Sequence, residues 1–134
     1  MKSKLILAIL SLALLGGGYG YYLFNKKTPG LENAKADFMV NANELFDAFD
    51  SNEQDAQATY GSKIVEVTGE VLEVKQSDTQ TTIILKAENA LIGGINCSFN
   101  KIIEGPSVGE EITIRGLCQG FLMDVILNNC TIVK

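Results

Sequence analysis

The chain has 134 residues, 46% of them hydrophobic and 20% charged, enough for one small domain and not two. Three Cys, no His and a single long apolar run exclude a disulfide-dense miniprotein and a multi-span transporter, and the commonest metal ligand and acid–base catalyst is missing. All sixteen acidic residues follow residue 30, so the net charge of −5 divides into +4 for residues 1–30 and −9 for the remainder. A domain this acidic repels phosphate backbones unless it carries a local basic groove, because Lys and Arg supply non-specific nucleic-acid affinity.

Residues 1–30 read as a membrane anchor and linker. Leu5–Phe24 is a run of twenty residues without a charge. As a helix it spans about 30 Å, the thickness of a bilayer's hydrocarbon core. Leu5, Leu10 and Leu15 belong to the apolar body. Tyr21, Tyr22 and Phe24, next to Lys26 and Lys27, suit an interfacial belt. The alternative is a cleaved signal peptide with its apolar region over Leu5–Leu15 and a small-residue site among Gly16, Gly17, Gly18 and Gly20. The apolar run resumes after those glycines, where a cleavage region turns polar, and no Cys follows it to accept a lipid. We expect a retained single-pass anchor, with the domain on the periplasmic or extracytoplasmic side. Gly16-x-x-x-Gly20 also matches a helix-packing spacing.

Thr28-Pro29-Gly30 breaks the helix and makes a short linker. A helical preface follows over residues 31–62. Phe38, Ala42, Leu45 and Phe49, with Phe46 beside them, recur at helical spacing and predict an amphipathic helix. Ser51 with Gln54 fits a capping box and predicts a second helix over 52–60, which Gly61 ends.

From Lys63 the apolar period changes to two. Val65, Val67 and Val71 alternate with polar residues until the phase slips to Leu72 and Val74, which predicts a bulge. Further strands are predicted at 81–86, 95–99, 111–118 and 125–133, separated by turn signals at Ser77-Asp78, Gly93-Gly94, Gly105-Pro106 with Gly109, and Gly120. Residues 63–134 thus form the barrel domain. The fold class is mainly β: a five-stranded Greek-key barrel preceded by a short helix pair and an N-terminal transmembrane helix.

The order of Tyr60-Gly61-x-Lys63, Val67-x-Gly69-x-Val71, Cys97-x-Phe99, Gly109, Gly116-x-Cys118-x-Gly120 and Asp124-Val125 to Cys130 resembles the bacterial OB-fold family called tRNA_anti-like, over about residues 38–133. The resemblance implies an OB-fold in a small envelope protein with an N-terminal signal, lipoprotein or transmembrane segment. Nucleic-acid binding is implied only by analogy with anticodon-binding OB domains.

OB barrels bind through the outer face of their second and third strands and the loops between strands one and two and between four and five. Here those surfaces carry Gln76, Ser77, Asp78, Thr82, Asn96, Ser98, Gln119, Phe121 and Met123. A polar, weakly acidic set of this kind suits an envelope protein, a saccharide or a cationic ligand better than a polyphosphate. Phe121, Leu122 and Met123 would supply an apolar anchor if exposed. Single-stranded nucleic acid is the alternative ligand. Against it stand two aromatics after Lys63, of which Phe99 reads as core and Phe121 as a loop residue, and the single basic residues Lys63, Lys75, Lys86, Lys101, Arg115 and Lys134, each read as a solvated charge.

Cys97, Cys118 and Cys130 lack metal-site or thioredoxin spacing, so no metal and no cofactor is expected. They read as buried small hydrophobes, although an oxidising compartment would allow one disulfide among them. A hairpin turning near Gly120 and Phe121 would set Cys118 opposite residues near Asp124 and Cys130 opposite Ile112. Asp124 has no partner base or nucleophile and reads as the cap of a turn after Gly120. Glu66, Glu70 and Glu73 read as outward strand charges. No catalytic residue is assigned, and the chain is read as a non-catalytic binding module.

Overall fold

The computed structural model describes residues 1–25 and 30–133. Lys26, Lys27, the Thr28-Pro29 break and Lys134 lie outside the described residues. The N-terminal helix α1 covers Lys2–Asn25, and it is long and apolar enough to cross a membrane by length and composition. Leu5, Leu10, Leu15, Tyr21, Tyr22 and Phe24 are all exposed on it, and no atom lies near the faces of Gly16 and Gly20.

The remaining elements are β1 (Phe38–Asn41), α2 (Ala42–Ser51), α3 (Glu53–Tyr60), β2 (Ile64–Gln76), β3 (Thr81–Lys86), β4 (Gly94–Phe99), β5 (Glu111–Leu122) and β6 (Asp124–Val133). Sheet order is β1-β2-β3-β4-β6-β5, and pairing of β5 with β2 closes the last five strands into a barrel. All neighbours in the barrel are antiparallel except β4 and β6. This is the Greek-key closure of an OB-fold.

Closure depends on β2 serving two partners in succession. Ile64–Glu70 pairs with β5, and from Val71 onward the strand pairs with β3. The register shifts between Val71 and Glu73, which places the predicted bulge at Leu72. The turn over Ser107–Glu110 braces the bend: Val71 N–H donates to the Glu110 carbonyl, and Gly109 N–H donates to that of Val71.

The apolar stripe of α2 covers one end of the barrel. Ala42, Leu45, Phe46 and Phe49 are buried against a core that includes Val65, Val67, Ile83, Leu85, Ile95, Phe99, Ile114 and Leu127. Gly69 lets the helix come this close, since a Cβ there would stand 2.9 Å from that of Ala42. Helices α2 and α3 each begin at an asparagine: Asn41 Oδ1 accepts from Glu44 N–H at 2.8 Å, and Asn52 Oδ1 accepts from Asp55 N–H at 3.1 Å.

Two expectations are corrected here. Phe38 does not belong to the helical stripe; Phe38–Asn41 forms a parallel edge strand on β2, because Asn41 caps the helix and holds the preceding backbone extended. The cap of α3 is Asn52 rather than Ser51, because Ser51 still completes α2.

Charge was misjudged on the face of β2 and β5. Glu66 is buried and Arg115 nearly so; they meet in an ion pair with Nη2–Oε1 at 2.6 Å and Nε–Oε1 at 2.9 Å. They are cross-strand neighbours in register, which a reading of single residues misses. Arg115 Nη1 also donates to the carbonyls of Leu31 and Glu32, at 2.9 and 3.0 Å. The arginine therefore fastens the segment before β1 to the barrel wall. Arg115→Ala is expected to cost about 3 kcal/mol, because Glu66 would remain buried without its partner. Thermal melts should show Arg115→Ala/Glu66→Ala less damaged than the sum of the single changes, and limited proteolysis should cut at Lys35 faster in Arg115→Ala; additive losses with unchanged cleavage would contradict the clamp.

Candidate binding face and buried thiols

Alternation along β3 and β4 sends Thr81, Ile83 and Leu85 inward with Ile95, Cys97 and Phe99, and turns Thr82, Asn96 and Ser98 outward. Register then makes a surface of them. Thr82 stands opposite Ser98, Lys75 of β2 lies on the other side of Thr82, and Glu73, Ile84, Asn96 and Ile126 form the next row. Lys75 Nζ sits 3.8 Å from Glu73 Oε2, both side chains more than half exposed. The face mixes small polar residues with Ile84 and Ile126, and exposed Lys86 follows on the same side of β3.

The predicted loop residues have other duties. Gln76 donates from Nε2 to the Ile103 carbonyl at 3.0 Å and holds down the long connection before β5, which Thr81 Oγ1 also grips by accepting from Ile103 N–H. Ser77 shapes its own turn by accepting from Gln80 N–H at 3.1 Å. Gln119 is exposed at a bulge of β5, where the register shifts between Cys118 and Gly120. Thr82, Asn96 and Ser98 thus come together, Gln76 and Ser77 border them at one loop, and Gln119 lies on β5.

Phe121 is not a loop residue. It lies within β5, one residue before the strand's end, half-buried, its ring 5.8 Å from that of Phe46 and stacked at 5.9 Å on Phe49. Phe38, Tyr60 and Phe49 continue the series. Five of the six aromatics after residue 30 are therefore occupied in seating the helices and β1 on the barrel, and Phe99 is in the core. Leu122 and Met123 are exposed.

The hairpin turns at Met123, with Leu122 paired to Asp124, and not near Gly120. Cys118 consequently faces Leu127, and Cys130 lies against Gly116 rather than opposite Ile112. Asp124 caps a different turn from the one expected: its Oδ1 accepts from Gly94 N–H at 3.1 Å and ties the β3–β4 loop to the hairpin.

All three cysteines are buried free thiols. Burial pushes the Cys97 thiol well above its ordinary value, and hydrogen bonding with Cys130 adds to the effect. Burial likewise pushes Cys118 up to about 11, offset in part by the Gly120 backbone. Such thiols are protonated at neutral pH and are poor nucleophiles. Among the described residues, no group of three His, Cys, Asp or Glu is arranged to hold a metal ion.

The raised thiol values have a consequence for stability. An unfolded thiol ionises from about pH 9 while Cys118 inside the barrel stays neutral to about 11. The stabilisation is therefore complete below the lower value and is lost as pH rises through the interval. Melting temperature should fall more steeply from about pH 8 to about pH 10.5 in the native chain than in Cys118→Ala, and parallel curves would contradict this assignment.

Comparison with known proteins agrees with the fold. No curated protein matches the chain. A crystal structure described as a "putative nucleic acid-binding lipoprotein" from Klebsiella pneumoniae subsp. pneumoniae MGH 78578 superposes with a TM-score of 0.60 at 18% identity, covering 72% of this chain and 91% of its own. At that identity the likeness carries the fold alone, and it gives no support to the expectation that acidity excludes nucleic acid. The tRNA_anti-like family profile matches residues 1–132, beyond the span that motif spacing suggested, and the chain belongs to that family.

Proposed function

We propose that this chain is a membrane-anchored, non-catalytic binding module that recognises an envelope protein or a saccharide through the outer face of β3 and β4. The observation that carries the reading is the outward pair Thr82 and Ser98 with Asn96 in the next row on a closed barrel, a set of small hydrogen-bonding side chains held in fixed register. Such a face offers donors and acceptors at strand spacing to hydroxyls or a peptide backbone. The raised Cys97 and Cys118 thiols speak against covalent catalysis by these side chains. Helix α1 would hold the module in the membrane as a single span, with the barrel on the extracytoplasmic side.

One observation favours a second reading, single-stranded nucleic acid: the description attached to the similar lipoprotein. Lys75 is a cation on the same face, already beside Glu73, and Lys86 follows Thr82 and Ile84 outward along β3. The two readings separate in one experiment on the full-length protein in lipid nanodiscs, tested against a glycan array, solubilised envelope proteins and a single-stranded oligonucleotide. A hydrogen bond lost on Asn96→Ala or Ser98→Ala should weaken saccharide or protein binding about fivefold with the melting temperature unchanged. Retained binding in both variants would remove this face from consideration, and oligonucleotide binding that weakens steeply with salt would replace the first reading by the second.

A further inference from the structure

The barrel end beneath α2 carries a groove of about 260 Å³, separate from the β3–β4 face. Phe46 and Phe121 form its apolar floor, and Leu91, Ile92 and Met123 rise from the two loop tips beside it. Leu91, Ile92, Leu122 and Met123 are between 76% and 101% exposed. Single exposed apolar residues are ordinary, whereas Leu91, Ile92 and Met123 together at one groove form a patch of the kind that binds. Asp124 fixes the two loops to each other through Gly94 N–H, so the patch is held in shape.

Met123 makes the case stronger. It occupies the left-handed region at φ 64°, where glycine is favoured and a side chain is disfavoured. With 76% of its surface exposed the side chain adds little to the core, which leaves it free to meet a ligand at the groove that it lines.

Charge decides the occupant. Asp50 lines the groove with Asn89, Asn89 Nδ2 donates to Asp47 Oδ1 at 2.8 Å, and among the described residues no lysine or arginine lines the groove. Phosphate-bearing lipid or nucleic acid is disfavoured at such a rim, and a cation beside an apolar side chain is favoured. Placement agrees. Strands β4 and β6 run parallel from this end, at Gly94 and Asp124, toward the end where Lys101 meets Glu32 of the segment following the apolar helix. The groove therefore opens on the barrel end remote from the tether.

We propose that this groove docks a segment of another protein that presents two or three apolar side chains flanked by Lys or Arg. The proposal rests on the binding-module reading and adds the chemistry of the partner and a second contact face.

The three methionines, Met1, Met39 and Met123, provide the test. Met39 lines a different groove of about 530 Å³ beside β1, and Met1 reports on the apolar helix. Full-length protein with 13C-labelled methionine methyls, in zwitterionic nanodiscs, is titrated with a synthetic peptide of Leu and Phe flanked by Lys, and with the same peptide carrying Glu for Lys. A saturable shift of Met123 by the Lys peptide, with Met39 unmoved and the Glu peptide about tenfold weaker, is expected. Asp50→Asn should weaken the Lys peptide about threefold, as an exposed charge pair does. Ile92→Asp should abolish the shift with the melting temperature unchanged, because Ile92 is exposed. Equal response to both peptides, a Met123 shift produced instead by a single-stranded oligonucleotide or by anionic vesicles, or movement of Met1 alone would overturn the proposal. Ligand binding lost in Asn96→Ala or Ser98→Ala while Met123 stays silent would overturn the groove and leave the binding module standing.

Discussion

This five-stranded barrel closes only because β2 is the neighbour of both β3 and β5. Its first half hydrogen-bonds to β5 and its second half to β3, with the extra residue Leu72 absorbing the change of direction. A straight strand would leave either β3 or β5 with an open edge, and open edges invite pairing with other chains. Every later feature depends on this bend. It sets the inward residues of all five strands around one core, and it leaves Gly69 at the point where α2 must approach. It also brings Glu66 and Arg115 side by side.

The helices complete what the bend begins. A barrel of five short strands has an end through which water could reach Val67, Leu85 and Ile95, and the Leu45–Phe49 stripe covers it. The aromatic series from Phe38 through Tyr60 and Phe49 to Phe121 and Phe46 joins β1, α3, α2 and β5 in one packing unit. The rings that an oligonucleotide-binding OB domain would leave on its surface are thus used in holding the helices to the barrel. The outer face of β3 and β4 is left without an aromatic ring and carries Thr82, Asn96 and Ser98 beside Ile84 and Lys86.

Period and punctuation made most of the fold legible. The alternation from Val65, its slip at Leu72 and the glycine-marked turns located every barrel strand to within a few residues, since those signals arise from local backbone geometry. What could not be read depended on register. The last hairpin turns at Met123 in the left-handed region, a conformation that sequence assigns to glycine, so the turn was sought at Gly120 and the partners of Cys118 and Cys130 shifted with it. Glu66 and Arg115 lie 49 residues apart and looked like independent surface charges until strand pairing brought them together. Phe38 fell on the helical spacing by coincidence, because Asn41 starts the helix after it. For the candidate site, the outward parity of Thr82, Asn96 and Ser98 was legible, whereas the internal hydrogen bonds of Gln76 and Ser77 and the ring contacts of Phe121 were not.

The grip of Arg115 on the Leu31 and Glu32 carbonyls shortens the effective tether. Only residues 26–30 separate the end of α1 from the first carbonyl that Arg115 holds. A chain of that length reaches at most roughly 20 Å when fully extended. With α1 in a bilayer, the barrel would be confined to a shallow layer above the lipid surface. For any partner anchored in the same membrane, encounter would then be a search in two dimensions rather than three. Confinement of that kind lowers the affinity that a contact needs, so the length of the tether bears on binding as directly as the chemistry of any one face.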